Sequence, residues 1–584
     1  MKEDPAPTYD YIIVGGGTLG AVLASRLSED PTVSVLVLEK GQLVDTWTTR
    51  IPLLSANLTS KDFLGVKWMS VPQTNADNRT LPMVRGEVLG GGSRINGALY
   101  TRGTPGDYNR WEELGNVGWG YNDLEPYFVK SENTLTHPAS RFRGKEGPWK
   151  NKKAVDPIEK ALGRVGIKRI EDFNDPMAPA ACTGLLDVAV DSSAYRQSTY
   201  HTFLPPQLAR ERRSWLKVCT GAVVGRVHLE QSESGVRATG VFFQSMNPKY
   251  AGQEYFARAR REIVLCAGTL VSPHILMLSG LGPEDHLVEQ GITIVHDMPA
   301  VGSHLQDHLA MPVEFTTPIS DSLHYLLSSP LQAILEFLKY LLMGVGILSH
   351  AFQYNSTFFP TRLLRDDLTI DKDDPRNNDT SVPDNRPDIE YMHIPNDCIG
   401  VQAPGKGAYS FLVTLIRPKS EGTVRLASTD PRTPPAIDLG YLTAPEDYAP
   451  LRAGVRLALR VAEDVRNQGY LFGNLHVPEA DTDEEIDRFI RKNLISCYHY
   501  TSTCRMGNKT HGARARVVDA KLKVHGVQGL QVCDASVFPE IICSHTMAPS
   551  VMVAEKCADM IEGEYRERDR EVVTSGSHVV IGRL

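Results

Sequence analysis

A glycine cluster near the amino terminus has the residue types and spacing to bind the phosphates of a dinucleotide. Gly15, Gly17 and Gly20 are spaced as GxGxxG, and Glu39 lies 19 residues after the last of them. Gly15 permits a tight turn, Gly17 lets the backbone approach a pyrophosphate, and Gly20 lets a helix lie close to a strand. A carboxylate at position 39 can accept hydrogen bonds from ribose hydroxyls. The pattern therefore predicts a dinucleotide site at a helix N-terminus.

A second glycine cluster at residues 86–97 contains three consecutive glycines at 90–92. Residues without a Cβ allow another molecule to approach the backbone closely, which suits a loop over a cofactor and its phosphates. Ser93 and Asn96 follow, and their side chains can hydrogen-bond polar cofactor atoms. This cluster is predicted to form a second wall of the nucleotide site.

Regular elements must hold these clusters, and the sequence indicates where they lie. Apolar residues 11–14 predict a strand, a helical pattern continues to Leu27, and residues 33–38 predict a second strand. Residues 216–227 have a strand–turn–strand pattern, residues 262–268 predict a buried strand before a helix, and helical spacing resumes after Pro549. Because these features are spread along the chain, they predict a discontinuous cofactor domain interrupted by segments of a substrate domain.

Composition excludes several classes of function. The chain has 584 residues and a net charge of −8, with no basic cluster that has interleaved aromatic residues, so we expect two or three structural units and no nucleic-acid partner. Its nine cysteines are scattered without a CxxC pair, which predicts neither a metal site nor a dense disulfide framework. The amino-terminal residues do not form a signal peptide, so an intracellular location is the default, although five glycosylation sequons keep a secreted origin open.

The most apolar long stretch is residues 331–348, which Glu336 and Lys339 interrupt. A membrane span would need about 20 uninterrupted apolar residues. We therefore predict a buried or half-buried helix there and no stable membrane insertion.

Five blocks of the sequence resemble those of the glucose–methanol–choline oxidoreductase family of flavoenzymes, and together they cover nearly the whole chain. They are residues 15–20 with Glu39, 86–97, 268–282, 301–308 and 498–549. The resemblance implies FAD rather than NAD and a mixed α/β fold, with a Rossmann-like FAD-binding domain and a substrate domain built on a helix-covered antiparallel sheet. We expect the FAD domain to comprise residues 1–155, 217–305 and 490–584, and the substrate domain residues 156–216 and 306–489.

The resemblance also implies which residues contact FAD. In members with covalent flavin a histidine stands at or near the position of Asn96, and asparagine cannot form that bond, so dissociable FAD is expected. Val224 matches a position whose backbone contacts the adenine end, and Asp534 and Ala535 match positions near the pyrophosphate and ribityl chain. The expected cofactor contacts are Gly15, Gly17, Thr18, Leu19, Gly20, Glu39, Leu89, Gly91, Ser93, Asn96, Gly97, Ala98, Val224, Asp534, Ala535, His545, Thr546 and Met547.

Catalysis in this family implies two polar groups in front of the flavin, which correspond here to His499 and His545. A neutral imidazole can remove the hydroxyl proton of an alcohol while a hydride passes to flavin N5, and a second imidazole can stabilise the developing alkoxide. Tyr498 and His499 are expected to contact the substrate.

Other histidines are interpreted as structural, namely His304, His308, His511 and His525. Three residues depart from the family pattern: Glu87 stands where a basic or small polar residue is usual, His304 replaces a common asparagine, and Glu421 replaces a usual arginine.

The expected function is that of an FAD-dependent alcohol oxidase or dehydrogenase, which acts on a small-molecule alcohol and passes electrons to O2 or another acceptor. A lyase or cyclase that retains FAD without redox turnover is the alternative. Fatty-acid photodecarboxylation is disfavoured, because His393 stands where those relatives have an arginine and no cysteine lies between Cys266 and Cys398. Neither the substrate nor the oligomeric state can be read from the sequence.

Overall fold

An eight-stranded sheet forms around the amino-terminal strand Thr8–Val14 in the computed structural model, which describes residues 6–58, 63–153, 159–233, 235–353, 355–401, 403–507 and 516–577. That strand pairs in parallel with its two neighbours, and residues 11–14 are buried, as expected for a parallel strand covered on both faces. The strands run in the spatial order Leu216–Thr220, Val35–Glu39, Thr8–Val14, Glu254–Leu265, Gly235–Ser245 and Ala222–Ser232, with Val527–Gln528 and Leu530–Val532 paired to Gly235–Ser245 and Glu254–Leu265.

The helix Thr18–Leu27 follows the first strand directly and packs against the long carboxy-terminal helix Met547–Ser577. Arg26 at its end forms an ion pair of 2.7 Å with the fully buried Glu555 of that second helix. The predicted order of strand, glycine turn, helix and strand is confirmed. The carboxy-terminal segment thus returns to the amino-terminal unit, which brings residues more than 500 positions apart in sequence to one site.

A second eight-stranded sheet lies beside the first. Its neighbouring strands pair in an antiparallel manner, except for one short parallel pair at an edge. The strands run in the order Gly473–His476, Leu309–Thr317, Gly407–Leu415, Ile389–Ile394, Asn355–Phe359, Cys182–Leu185 and Lys168–Arg169, with Ile495–Ser496 paired to Leu309–Thr317.

The two faces of this second sheet bury different residues, because side chains alternate along a strand. Ile389 and Tyr391 face the helix Tyr448–Asn467 and join a large apolar core. Met392 and Ile394 belong to a separate small cluster, together with Leu412. That second face lies towards the cavity described below.

Smaller sheets and helices complete the fold. Four short strands form one sheet in the order Leu99–Tyr100, Asp187–Val188, Trp149–Lys153 and Glu132–Thr134; three two-stranded sheets pair Leu281–Gly282 with His296–Asp297, Thr423–Arg425 with Ala436–Asp438, and Gly65–Met69 with Pro82–Gly86. The remaining helices are Pro52–Ser55, Pro105–Glu113, Tyr121–Ser131, Glu159–Arg164, Thr199–Phe203, Pro206–Glu211, Ser272–Leu278, Glu284–Glu289, His324–Ser328, Pro330–Met343, Pro375–Asn378 and Asp483–Asn493.

The predicted domain boundaries stay a prediction. Two short strands cross them: Asp187–Val188 pairs with Leu99–Tyr100, and Ile495–Ser496 pairs with Leu309–Thr317. The boundary at residues 155 and 156 lies outside the described residues.

The prediction of a buried helix at residues 331–348 was wrong in its burial. The helix Pro330–Met343 forms, but Leu331 is 66% exposed and Leu342 is 76% exposed, and Tyr340 is its one buried side chain. The sequence predicts a buried or half-buried helix, whereas most of its apolar side chains face outward. None of the described helices combines the length and apolar character needed to cross a membrane.

Candidate active site

Two cavities meet where the glycine clusters touch. A narrow cavity of about 80 Å³ is lined by Gly15, Glu39 and Val224, and a large one of about 1140 Å³ is lined by Ser93, His499 and His545. Gly17 and Gly91 line both cavities. The larger volume slightly exceeds the usual upper range for a small-ligand pocket, about 1,000 Å³, so it has room for part of a cofactor and a substrate.

The glycines of the first cluster have different physical roles. Gly15 has a φ of +100°, and a Cβ there would lie 2.5 Å from the carbonyl oxygen of Cys266. A Cβ on Gly20 would lie 1.9 Å from the carbonyl oxygen of Gly15, so only glycine allows the helix to approach the strand. A Cβ on Gly17 would have no neighbour closer than 3.9 Å. Gly17 is therefore not required by the packing of the protein itself and keeps space free in the cavity.

The helix that begins at Thr18 presents its amino terminus to this space. No side chain caps the helix, and its first turn has no acidic residue. Backbone N–H groups at a helix N-terminus and the helix dipole favour a bound anion. The Thr18 hydroxyl accepts a hydrogen bond of 3.2 Å from the Ser93 N–H, which ties the two glycine clusters together.

Glu39 lies at the far end of the narrow cavity. Its two carboxylate oxygens accept hydrogen bonds of 2.7 Å from the N–H groups of Gly16 and Gly41. Burial raises the pKa of Glu39, although the two hydrogen bonds oppose this effect. Because a carboxylate has about four acceptor positions, it retains capacity for a ribose hydroxyl on the cavity side.

Most of the predicted cofactor residues line one of the two cavities. The exceptions are Gly20, Leu89 and Ala98, which are buried in the surrounding packing. Leu89 fills the space beside Gly16, and the N–H of Ala98 donates to the Asn96 side chain. The predicted residues at the cavities are Gly15, Gly17, Thr18, Leu19, Glu39, Gly91, Ser93, Asn96, Gly97, Val224, Asp534, Ala535, His545, Thr546 and Met547.

Arg196 is a residue of this region that the sequence did not reveal. Its guanidinium group is buried and donates to the Asn96 side-chain oxygen (2.8 Å), to the Ser93 carbonyl (3.0 Å) and to the Ser55 hydroxyl (2.7 Å). Burial and the nearby Arg94 lower the pKa of Arg196 to about 9. Arg196 thereby fixes the second glycine cluster and brings a positive charge close to the cavity.

The imidazoles of His499 and His545 lie side by side at the large cavity. Their ring centroids are 5.1 Å apart and the rings are perpendicular. His545 is buried, and its Nε2 lies 3.1 Å from Oε1 of Glu390, which also accepts a hydrogen bond from the Ser356 hydroxyl. Burial acts to raise the pKa of Glu390, but the charge and hydrogen bond of His545, with further contributions from Ser356 and His308, lower it overall.

Glu390 is the second residue that the sequence analysis missed. It lies on the cavity side of a strand whose other face joins the apolar core, whereas His393 lies on that opposite face, hydrogen-bonded to Thr357 and Tyr409. A single carboxylate within the apolar strand Ile389–Ile394 was the available signal, since an ionised group in such a strand needs a buried partner.

His308 determines which nitrogen of His499 carries a proton. Its Nε2 lies 3.0 Å from the carbonyl oxygen of Ile542, which can only accept, so Nε2 bears the hydrogen. Burial lowers the pKa of His308 to about 4, so its Nδ1 has a free lone pair near neutral pH. The Nδ1 of His499 lies 2.9 Å away and must donate to it. The interpretation of His308 as merely structural was incomplete.

His499 is consequently neutral with its lone pair on Nε2. Burial, with the neighbouring His308 and His545, lowers the pKa of His499 well below that of a free imidazole. Nε2 makes no hydrogen bond to any residue in the described part of the chain, and the side chain lines the large cavity. A neutral imidazole with an available lone pair at a cavity has the form of a general base.

The backbone around His499 is held in an unusual conformation. Tyr498, which also lines the cavity, has a φ of +61°, in the left-handed region that bulky residues rarely adopt. The buried carboxylate of Asp307 accepts a 2.7 Å hydrogen bond from the His499 N–H and further bonds from Ser496 and Tyr441. Burial raises the pKa of Asp307 to about 6 despite these bonds. Asp307 thus anchors the turn that presents His499.

Two of the three departures from the family pattern, His304 and Glu421, contact each other. Nδ1 of His304 lies 2.6 Å from Glu421, and Arg505 donates to the other oxygen of the same carboxylate at 2.7 Å. Burial acts against ionisation, but the His304 hydrogen bond and the Arg505 charge lower the pKa of Glu421 to about 2. His304, Glu421 and Arg505 thus form one hydrogen-bonded cluster. His511 lies outside the described residues.

Comparisons with known proteins identify the class of this protein. The chain belongs to the GMC oxidoreductase family: its amino-terminal family model matches residues 9–310 and its carboxy-terminal one residues 418–554. The family prediction and the mixed α/β fold are confirmed. The residues around Gly17 fit FAD, because they leave uncapped N–H groups and free space at the phosphate position.

Similar proteins share nearly the full length of the chain. The chain is 33% identical to dehydrogenase str4 of Strobilurus tenacellus, with 96% of this chain and 95% of the relative covered. It is also 33% identical to the oxygen-dependent choline dehydrogenase of Rhizobium etli, with coverages of 95% and 96%. Among solved structures, an FAD-dependent oxidoreductase from Chaetomium thermophilum has a TM-score of 0.83 at 26% identity, covering 96% of this chain and 100% of that one.

Proposed function

We propose that this protein oxidises the CH–OH group of an alcohol to a carbonyl, with FAD as the hydride acceptor and His499 as the general base. The observation that carries the proposal is the free Nε2 of a neutral His499 at the large cavity, which the two glycine clusters also line. Membership of a family of FAD-dependent alcohol-oxidising enzymes supports the same reaction class.

The two imidazoles have different environments and hence different roles. Burial, and then the neighbouring imidazoles of His308 and His545, keep His499 neutral and able to accept the substrate hydroxyl proton at Nε2. Nε2 of His545 lies 3.1 Å from the carboxylate of Glu390, and His545 lowers the pKa of that carboxyl group. We assign to His545 the stabilisation of the negative charge that develops on the substrate oxygen. Bound FAD would supply the acceptor for the hydride that leaves the carbon bearing the hydroxyl group.

The expected tautomer of His499 can be tested at His308. His308→Leu removes the acceptor of the His499 Nδ1 hydrogen and allows the proton to occupy Nε2, so flavin reduction should slow by about 10²-fold. His308→Gln retains an acceptor for His499 and a donor for the Ile542 carbonyl, and should restore most of the rate. Stopped-flow reduction and thermal unfolding are measured for both variants. Equal rates in the two variants would contradict the role of His308.

We further propose that FAD is bound non-covalently and that Asn96 forms no covalent bond to it. The Asn96 amide is not a nucleophile, and its oxygen is occupied by Arg196 and the Ala98 N–H. Acid precipitation of the yellow protein should release essentially all FAD into the supernatant. The measurement is flavin absorbance in the supernatant and pellet. Flavin that remains with the precipitated protein would show a covalent link.

The redox function is tested by anaerobic titration of the flavin-loaded protein with primary alcohols, including benzylic, furan-type and polyol compounds. We expect at least one of them to bleach the flavin absorbance near 450 nm (about the usual maximum of oxidised flavin) and to yield the carbonyl product. A flavin that stays oxidised with every alcohol, while the protein forms products without redox change, would favour a lyase or cyclase instead.

A further inference from the structure

The large cavity continues beyond the imidazole pair as an apolar channel. On the second sheet its walls are Met392, Ile394 and Leu412, which lie on the cavity side of their strands. Phe352 packs against this cluster and also lines the cavity. A substrate in front of His499 would therefore contact apolar side chains on the side away from the glycine clusters.

The channel reaches the surface at the helix Pro330–Met343, which we call the mouth helix. Ala333, Glu336 and Phe337 line the cavity, and their spacing of three and four residues places them on one side of the helix. Leu327, just before the helix, also lines the cavity and is 80% exposed. The apolar stretch whose burial was predicted wrongly thus forms the rim of the cavity.

Carboxylates along this channel are already paired. Glu336 accepts from Lys339 at 2.6 Å and from the Ile347 N–H at 3.2 Å. Asp397 lies 2.8 Å from Nε2 of His324. Asp534, on the cofactor side, accepts from the N–H of Gly268 and from Ser272. Glu390, on the same face of the second sheet, is paired with His545 and Ser356. A quaternary ammonium group would therefore find no carboxylate without a partner in the described lining, and it would lose its hydration on burial.

We propose that the substrate is an uncharged alcohol with an extended apolar body, which enters past the mouth helix and lies along Met392, Ile394 and Leu412 with its hydroxyl at His499. This inference rests on the proposed alcohol oxidation. It separates this protein from the choline-oxidising relatives, which act on a permanent cation. Affinity comes from hydrocarbon removed from water along the channel, and the imidazole pair fixes the reacting end.

Binding is measured first with alcohols that cannot be oxidised. Tertiary 2-methylalkan-2-ols of increasing length have no hydrogen on the carbinol carbon, and their binding is followed by perturbation of the oxidised-flavin spectrum. The dissociation constant should fall by about three- to fourfold for each added methylene until the channel is filled. A dissociation constant that does not change with chain length would overturn the inference even if short alcohols are oxidised.

Charge is tested with a pair of alcohols of nearly equal shape. Choline and 3,3-dimethylbutan-1-ol differ in the charge of one atom, and flavin reduction is measured with each under anaerobic conditions. The neutral compound should give a reduction efficiency at least tenfold higher than choline. Preference for choline would overturn the inference. If neither compound nor any longer primary alcohol reduces the flavin while the tertiary series binds as expected, the channel inference stands and the proposed redox function fails.

The proposed route of substrate entry past the mouth helix is tested by two substitutions on that helix. Phe337→Ser removes apolar surface from the cavity side, whereas Leu335→Ser is a matched change on the opposite side of the helix, at a 48% exposed position that does not line the cavity. Phe337→Ser should raise the dissociation constant of the longest tertiary alcohol about fivefold or more and leave that of the shortest unchanged. Leu335→Ser should alter neither. Equal effects of both substitutions, or an unchanged affinity in Phe337→Ser, would overturn the proposed path.

Discussion

Replacing His499 by alanine is expected to slow reduction of the flavin by an alcohol by about 10²- to 10⁴-fold. A positioned general base contributes a factor of this size, and the free Nε2 of His499 has no substitute in the described lining of the cavity except His545, which is bound to Glu390. The rate is measured by anaerobic stopped-flow absorbance with saturating substrate. Added imidazole should restore part of the activity, because it can occupy the space of the lost ring.

The matched control is His228→Ala, because His228 lies on the strand Ala222–Ser232 and is hydrogen-bonded to Thr239, away from the cavity. It should retain the wild-type rate. Reduction by His499→Ala at an unchanged rate would remove His499 from the mechanism.

The pH dependence follows from the same environment. A base must be unprotonated, and burial with two neighbouring imidazoles lowers the pKa of His499 well below 6.5. The reduction rate of the wild-type protein should therefore stay constant as the pH falls through 6.5 and decline only at more acidic pH. A decline centred at or above pH 6.5 would contradict the inference that burial and the neighbouring imidazoles keep His499 neutral.

The second large effect is expected at Gly17, where a side chain would occupy the space of the cofactor. Gly17→Val should weaken FAD binding by about 100-fold and Gly17→Ala by about tenfold, within the usual cost of overpacking a fitted site. The apoprotein should keep its unfolding temperature, because a Cβ there has no protein atom closer than 3.9 Å and the φ of −72° suits any residue. Calorimetric titration of the apoprotein with FAD measures the affinity.

Two other glycines give matched comparisons. Gly563→Ala, in the carboxy-terminal helix with no neighbour within 4 Å of the added Cβ, should bind FAD normally. Gly20→Ala should destabilise the protein itself, since its Cβ would lie 1.9 Å from the Gly15 carbonyl oxygen. Normal FAD affinity in Gly17→Val would contradict the assignment of this space to the cofactor phosphates.

Local patterns were sufficient to predict the nucleotide-binding unit. The strand Thr8–Val14, the glycine turn and the helix Thr18–Leu27 follow each other without interruption, and each has its own signal in apolar periodicity or in glycine spacing. The same holds for the strands Leu216–Thr220 and Ala222–Ser232. Such elements are determined by residues close together in sequence, so one amino-acid sequence is enough to locate them.

The mouth helix shows where local patterns fail. Its helical period and apolar character were visible in the sequence, but burial depends on which other element covers a face. Here one face of the helix borders a cavity and the other is exposed, so apolar residues that suggested a core form the rim of a channel instead. Composition alone cannot separate these two environments, since both favour leucine and phenylalanine.

By itself the sequence determined the family and the cofactor class of its homologues, and it predicted the two imidazoles as candidate site residues, because these depend on residue types at fixed positions in contiguous motifs. Only the tertiary structure decided how the imidazoles differ. His308 and Glu390 reach His499 and His545 from segments 191 and 155 residues away. They affect the protonation of the two imidazoles through hydrogen bonds and through burial, and both act over only a few ångströms. These contacts exist only after both sheets and the carboxy-terminal segment have packed together.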